Sequence, residues 1–254
     1  GFIYNEEGAT IETHGNAVFN AIANDAWAAT FINKGKIWTD PGYFTITIGT
    51  ETPSYELNYF ENHSTGTVDL RAGVVMQGEN TVFKNAGKIF IFEDAALSTK
   101  TFENQSGGYV LLDVGGTLYS SVQNKAGAEI DINNGTLSGK LVNAGTVTNT
   151  GNLDDVENTG GTIDNQNIIN GDLVISGGVV TNSGTVEGQT TLSGGKLETS
   201  GQVQDVTFTR NSELEVTSGA VGNVTIDGSL SPNTGGTLTM TGGSIQDLDV
   251  TGDY

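Results

Sequence analysis

The chain has 254 residues, of which 37 are glycine and 35% are apolar, and it carries a formal net charge of −20. With 30 acidic and only 10 basic side chains it lacks the basic face that displaces phosphate counterions, which excludes nucleic acid and disfavours anionic membrane surfaces as partners. The absence of cysteine removes disulfides, thiolate metal sites and thiol nucleophiles, and no apolar run approaches the length of a membrane span.

The sequence opens at Gly1 with neither Met nor a signal-peptide pattern and stops at Tyr254 in mid-pattern, so a piece processed or excised from a longer protein is expected. Residues 1–30 read as an N-terminal cap or a first irregular coil. Within them NAVFNAIANDAWAATF comes nearest to a helical stripe, with Phe19, Ala23, Ala26 and Trp27 on one side. A cap helix and a loop between two strands both fit it.

From Phe31 onward one phrase recurs: an apolar residue, a second residue, Asn, then Gly two to four positions on and a β-branched or apolar residue. It centres on Asn33, Asn62, Asn85, Asn104, Asn124, Asn143, Asn158, Asn170 and Asn182, at steps of 29, 23, 19, 20, 19, 15, 12 and 12 residues. Periods near 20 with alternation such as Thr146-Val147-Thr148-Asn149 mean short strands punctuated by turns. Gly is expected to supply positive φ at a tight corner, and Asn to tolerate the left-handed region while bonding its own backbone. Strands this short bury little alone. Stacked in parallel at the inter-strand spacing of about 4.8 Å, they bury a thin continuous core of Val, Ile, Leu, Ala and Thr, with corner Asn amides stacked inside the turn. The expected fold is all-β, a single right-handed parallel β-helix over residues 31–254. Between Asn143 and Asn182 the short steps mean either narrower coils or more than one phrase per coil. The second is preferred, and it would place Asn158 and Asn182 at equivalent corners.

Trp38 to Phe60 fills the longest step and reads as an inserted loop or hairpin leaving the wall, with Pro41-Gly42 as its turn. Trp38, Tyr43, Tyr55 and Tyr59 crowd there. Beside carboxylates and amides, such aromatics either pack the insertion onto the body or stack on the C–H faces of sugars. His14 and His63 have no partner spacing and read as surface residues. The outward position after the first apolar residue gives a loose acidic column, Asp69, Asp131 and Asp164, interrupted by Phe90, Leu111 and Thr148. A glycosidase needs two carboxylates about 5–9.5 Å apart, and no adjacent pair is visible. A lyase needs a basic Lys or Arg beside an acidic cluster, and of Arg71 and Arg210 only Arg71 merits a test. No cofactor is expected. Asp154-Asp155, Asp131 with Asn133-Asn134, and Asp247 with Asp249 either offer oxygens to calcium or are solvated carboxylates. The acceptor triplets at Asn62, Asn104 and Asn223 read as chance, two of them being corner positions. Near Gly201 the phrase changes to VQDVTF, VGNVTI and IQDLDV, at steps of 18 and 24.

The phrases LVNAGTVTNTGNL, VENTGGTIDN and VTNSGTVEG resemble the N-x-G-x-[IV] repeats of filamentous-haemagglutinin-like adhesins and autotransporter passenger domains of bacteria. LSGGKLETSGQVQDVTF and TSGAVGNVTIDGSL are similar to the repeats of self-associating autotransporter adhesins. The resemblance covers about residues 30–250 and lies in the repeat grammar. It implies an extracellular or cell-surface β-helix serving adhesion, aggregation or biofilm contacts, and it carries over no catalytic residue. Its implied partners are glycans or proteins of a host or neighbouring cell, or further copies of itself. A surface-layer subunit assembling head to tail and a polysaccharide lyase or hydrolase are the alternatives.

Overall fold

In the computed structural model the described residues are 2–13, 19–22, 30–39, 44–49, 58–71, 74–208, 211–227 and 236–251, and every regular element among them is a β-strand. The chain is a parallel β-solenoid that divides into two compact units, Gly1–Gly139 and Lys140–Tyr254.

In the first unit each rung contributes one strand to each of three walls. The first wall begins with Phe2–Asn5, Thr30–Asn33 and Asn58–Asn62, paired in parallel with Asn5, Asn33, Asn62 and Asn85 in register. The second wall stacks Thr10–Thr13, Lys36–Thr39, Thr67–Leu70, Lys88–Ile91, Tyr109–Leu112 and Glu129–Ile132. The third begins with Phe19–Ile22 and Phe44–Gly49. From there it runs on into the long strands Val74–Asn85, Ala96–Asn104 and Thr117–Asn124, which bend through a register shift into the first wall of the next rung.

Two sequence expectations change here. Phe19–Ile22 is a wall strand and no helix occurs among the described residues of 1–30, because pairing with Phe44–Gly49 satisfies its backbone. Phe44–Gly49 likewise pairs in parallel on both sides, so it belongs to the wall and is not one arm of a projecting hairpin. Residues 40–43 and 50–57, with Tyr43 and Tyr55, lie outside the described residues.

Inside the first wall the aromatic residues concentrated early in the sequence find their place. Phe31, Phe60, Phe83 and Phe102 occupy one inward column, with ring centroids 4.8, 4.2 and 5.2 Å apart in succession. All four are buried, so the core here is an aromatic stack where sequence reading expects aliphatics.

Beside that stack runs a chain of buried amides. Asn5 Nδ2 donates to Asn33 Oδ1 at 2.7 Å, Asn33 to Asn62 at 2.7 Å, and Asn62 to Asn85 at 2.7 Å. Asn85 donates to Asn104 at 2.8 Å and Asn104 to Asn124 at 2.9 Å. Each also donates to a main-chain carbonyl on the next rung, such as Asn85 Nδ2 to Tyr109 O at 3.2 Å, so both amide hydrogens are used. The corner glycines answer to two demands. Gly107 and Gly127 take the expected positive φ, at 82° and 77°. Gly87 is not among the residues with positive φ; a Cβ there would sit 2.2 Å from the carbonyl oxygens of Gly66 and His63, so close approach between rungs demands glycine at that corner. Among the described residues the left-handed non-glycine positions are Asp94 and Asn134, at φ 56° and 54°, on the corner that follows the second wall, and neither is a ladder Asn.

The second unit repeats the plan with shorter rungs. One inward column runs Leu141, Val156, Leu173, Thr190, Val206 and Val224, and Leu248 continues its register as an exposed residue. Two amide ladders serve it: Asn143 donates to Asn158 at 2.9 Å, and Asn149 to Asn165 and Asn165 to Asn182 at 2.7 Å each. The phrase therefore occurs twice per rung, as preferred. The pairing proposed for Asn158 and Asn182 is wrong, however: Asn158 aligns with Ile175, and Asn182 with Asn165 below it. Coils are narrower as well, since Leu141 to Val156 spans 15 residues and Val156 to Leu173 spans 17. Asn170 belongs to neither ladder; it is exposed and donates to Leu153 O at 3.2 Å. The phrase change at Gly201 leaves the stacking intact, with Val186, Val203, Val221 and Ile245 in one column.

Replacing Asn104 with Ala removes the acceptor of Asn85 and the donor of Asn124 inside the corner, and is expected to cost about 2–4 kcal/mol in chemical denaturation. Asn133→Ala, at an exposed corner, should change stability by less than about 0.5 kcal/mol.

Candidate functional site

With inward positions fixed by the ladders, alternate residues of each wall strand face out. On the second wall of the first unit one outward column runs Thr10, Lys36, Thr67, Lys88, Tyr109 and Glu129. The next runs Glu12, Trp38, Asp69, Phe90, Leu111 and Asp131. Arg71 and Phe92 follow at the wall's edge, after the inward-facing Leu70 and Ile91. The residues Phe90 and Leu111, which interrupt the acidic column in the sequence, thus join Trp38 and Tyr109 in an aromatic and apolar face.

Several polar groups at the centre of this face have defined partners. Arg71 holds Asp69 by a hydrogen bond from Nη2 to Oδ2 at 2.9 Å and an ion-pair contact from Nε to Oδ1 at 2.7 Å, and its guanidinium lies 4.0 Å from the Phe92 ring centroid. Asp69 is buried and Arg71 half-buried, so the pair is a positioned fork rather than a loose surface contact. Phe90 lies 6.1 Å from Phe92, nearly parallel, and meets Tyr109 edge-on at 6.0 Å. Tyr109 donates its hydroxyl to Asp131 Oδ2 at 2.8 Å. Lys36 Nζ sits 5.5 Å from the Trp38 ring.

Sequence reading places Trp38 in an aromatic cluster with Tyr59. In the structure they stand on different walls: Tyr59 faces out from the first wall, where Lys84 Nζ lies 4.8 Å from its ring. The cluster that forms instead comes from Phe90, Phe92 and Tyr109, which sequence distance hides and register reveals.

The acidic candidates separate. Asp69 and Asp131 are three rungs apart, about 14 Å along the wall, outside the spacing of about 5–9.5 Å that paired glycosidase carboxylates use. Asp164 lies in the second unit, in a column with Thr148, Thr181, Glu198, Glu215 and Thr239 that carries no aromatic residue. There Lys196 bridges Glu215 at 2.5 Å and Glu213 at 3.4 Å, and the Glu215 hydrogen bond holds its ammonium above the usual range.

Among the described residues no three His, Asp or Glu converge as a metal site. Asp155 and Asp172 spend an oxygen each on the next rung, accepting from the main-chain N–H of Asp172 and Gln189 at 3.0 and 2.9 Å. Asn133 donates to Asp113 at 2.8 Å, and exposed Asp247 and Asp249 align with Asn223 and Thr225. His63 is half-exposed, 3.7 Å from Glu61, while His14 and Arg210 lie outside the described residues. Of the three acceptor triplets, Asn62 and Asn104 are buried ladder members and Asn223 is exposed, its side chain donating to Asp205 at 3.0 Å.

Comparison with models of known protein families and with curated proteins finds no match to the chain.

Burial pushes the Tyr109 phenol above its ordinary range, and the bond it donates to the Asp131 carboxylate pushes it the same way. A raised folded-state value means that folding favours the neutral phenol. That stability is present in full below a pH of about 10 and is lost as pH rises through the raised value. Asp131→Asn should bring the Tyr109 transition down, read as the near-UV absorbance difference between each protein and its Tyr109→Phe counterpart.

Proposed function

We propose that the protein is an extracellular surface adhesin or passenger-domain segment, a non-enzymatic solenoid that mediates cell adhesion, aggregation or biofilm contacts. It holds glycans or proteins of a host or neighbouring cell against its walls. The observation that carries the reading is the aromatic face of the second wall, where Trp38, Phe90, Phe92 and Tyr109 are partly exposed on or beside three of four successive stacked strands, the one without an aromatic being Thr67–Leu70. Buried aromatics build cores, as the Phe31–Phe102 stack does. Aromatics on the outer side of a rigid wall contribute little to that core and offer flat apolar surface to a partner.

Sugar rings suit such a face, because their C–H sides pack on aromatic rings while their hydroxyls reach flanking polar groups. Arg71, Asp69 and Asp131 are already bonded to protein groups, which holds them as fixed edges of the platform and leaves the wall without an unengaged acid–base pair at its centre. The resemblance of the repeat grammar to exported adhesins supports placement at the cell surface, and a cysteine-free chain is compatible with it.

On a glycan array the protein is expected to bind a restricted set of glycans, and the Trp38→Ala/Phe90→Ala variant to lose that binding while keeping its far-UV circular dichroism. A blank array sinks the glycan reading. Depolymerisation of an array glycan that is abolished in Arg71→Ala would replace adhesion with catalysis.

A further inference from the structure

The same face carries positive charge in a chain that has little of it. Lys36, Thr67 and Lys88 are successive members of one outward column, so the two ammonium groups stand two rungs apart, about 10 Å along the wall. On the same three rungs the neighbouring positions are Trp38, Asp69 with Arg71, and Phe90 with Phe92. Three cations face one carboxylate, and that carboxylate is held by Arg71 through both oxygens. Among the described residues of these rungs the patch therefore keeps two positive charges beyond that pair. Lys88 is exposed, and its ammonium is paired with no carboxylate among the described residues. Lys36 lies against Trp38, so cation and aromatic ring present together.

We propose that these rungs form a binding site for an acidic glycan, a polymer whose sugar residues carry carboxylates, lying along the solenoid axis. This rests on the glycan reading above and names its ligand class. Trp38 and Phe90 take the apolar faces of sugar rings, while Lys36 and Lys88 take carboxylates two rungs apart. An extended pyranose chain advances by about one rung per residue, so every second residue meets an ammonium. Among the described residues, the acids that bound the patch are Glu12 on the rung before Trp38, Glu129 and Asp131 two rungs beyond Lys88, and Glu93 and Asp94 in the turn after Phe92. At physiological ionic strength the Debye length is about 8 Å, so the two ammonium groups act on a contacting carboxylate while most of the chain's negative charge is screened. A neutral glycan would use the rings alone and leave the lysines without a role.

The test uses the whole chain at physiological ionic strength with a calcium chelator, and titrates polygalacturonate, alginate and hyaluronate calorimetrically beside fully methyl-esterified polygalacturonate. At least one acidic polymer is expected to bind, and in Lys36→Gln/Lys88→Gln, at unchanged melting temperature, to bind about tenfold more weakly, the equivalent of about 1.4 kcal/mol. For polygalacturonate the ester should match that loss. Equal binding of acid and ester, or binding of acidic polymers unchanged in the lysine variant, overturns the charge assignment and leaves the glycan reading standing. Silence toward all three acidic polymers, beside a neutral glycan that binds on the array, does the same. Silence toward every polymer and the whole array removes both.

Discussion

A primary amide buried in a protein must place two N–H donors and a carbonyl, and failing to do so costs a few kcal/mol. One Asn in the corner of this solenoid would be such a liability. A column of them is not, because each Nδ2 gives one hydrogen to the Asn of the next rung and the other to a main-chain carbonyl there. All the side-chain bonds of the first unit's ladder point the same way along the axis, so each polarises the next. The solution extends as long as an amide recurs at the same corner, and it ends where another acceptor takes over, as the Thr199 hydroxyl does above Asn182. That need for a recurring amide is why the sequence keeps repeating itself.

Other regularities follow from stacking at one inter-strand spacing. A phenylalanine on one rung covers the ring on the rung below, and a glycine is required wherever a neighbouring carbonyl crowds the corner. Lengths are free elsewhere. In the first unit the Asn column advances by 28 and 29 residues at first and by 19 and 20 later, without losing register. Where the excess is gone, the third wall bends directly into the first as one long strand, as in Ala96–Asn104.

This explains what could be read without coordinates. Ladder members such as Asn33, Asn104 and Asn143 announce their corners because a buried column of amides favours the same residue again, and the parallel solenoid follows from them. The reason for the glycines was less accessible: the sequence offers the same letter for positive φ and for close approach, and only the position of the Gly66 carbonyl distinguishes them. The Phe stack was visible as a bias toward the first part of the chain, but its pairing needed the register. The pairing of Asn158 with Asn182 failed because a rung holding two phrases has two kinds of corner, and the letters do not say which is which.

The outward face was the least legible part, for a physical reason. Outward side chains answer to no stacking partner, so they carry no periodic signal. Phe90 interrupts the acids Asp69 and Asp131 in the sequence, and only the register shows it as a member of an aromatic face. Lys36 and Lys88 are far apart in sequence and become neighbours on a wall only once Thr67 is seen between them. The inward ladder thus does two things. It spends sequence freedom on a uniform interior, and in doing so it fixes the register that turns unrelated outward residues into one surface. The wall of the second unit shows how independent that surface is: the same stacking rules there carry Lys196 among glutamates and no aromatic ring in the acidic column. Binding specificity on such a scaffold can change rung by rung without disturbing the fold beneath it.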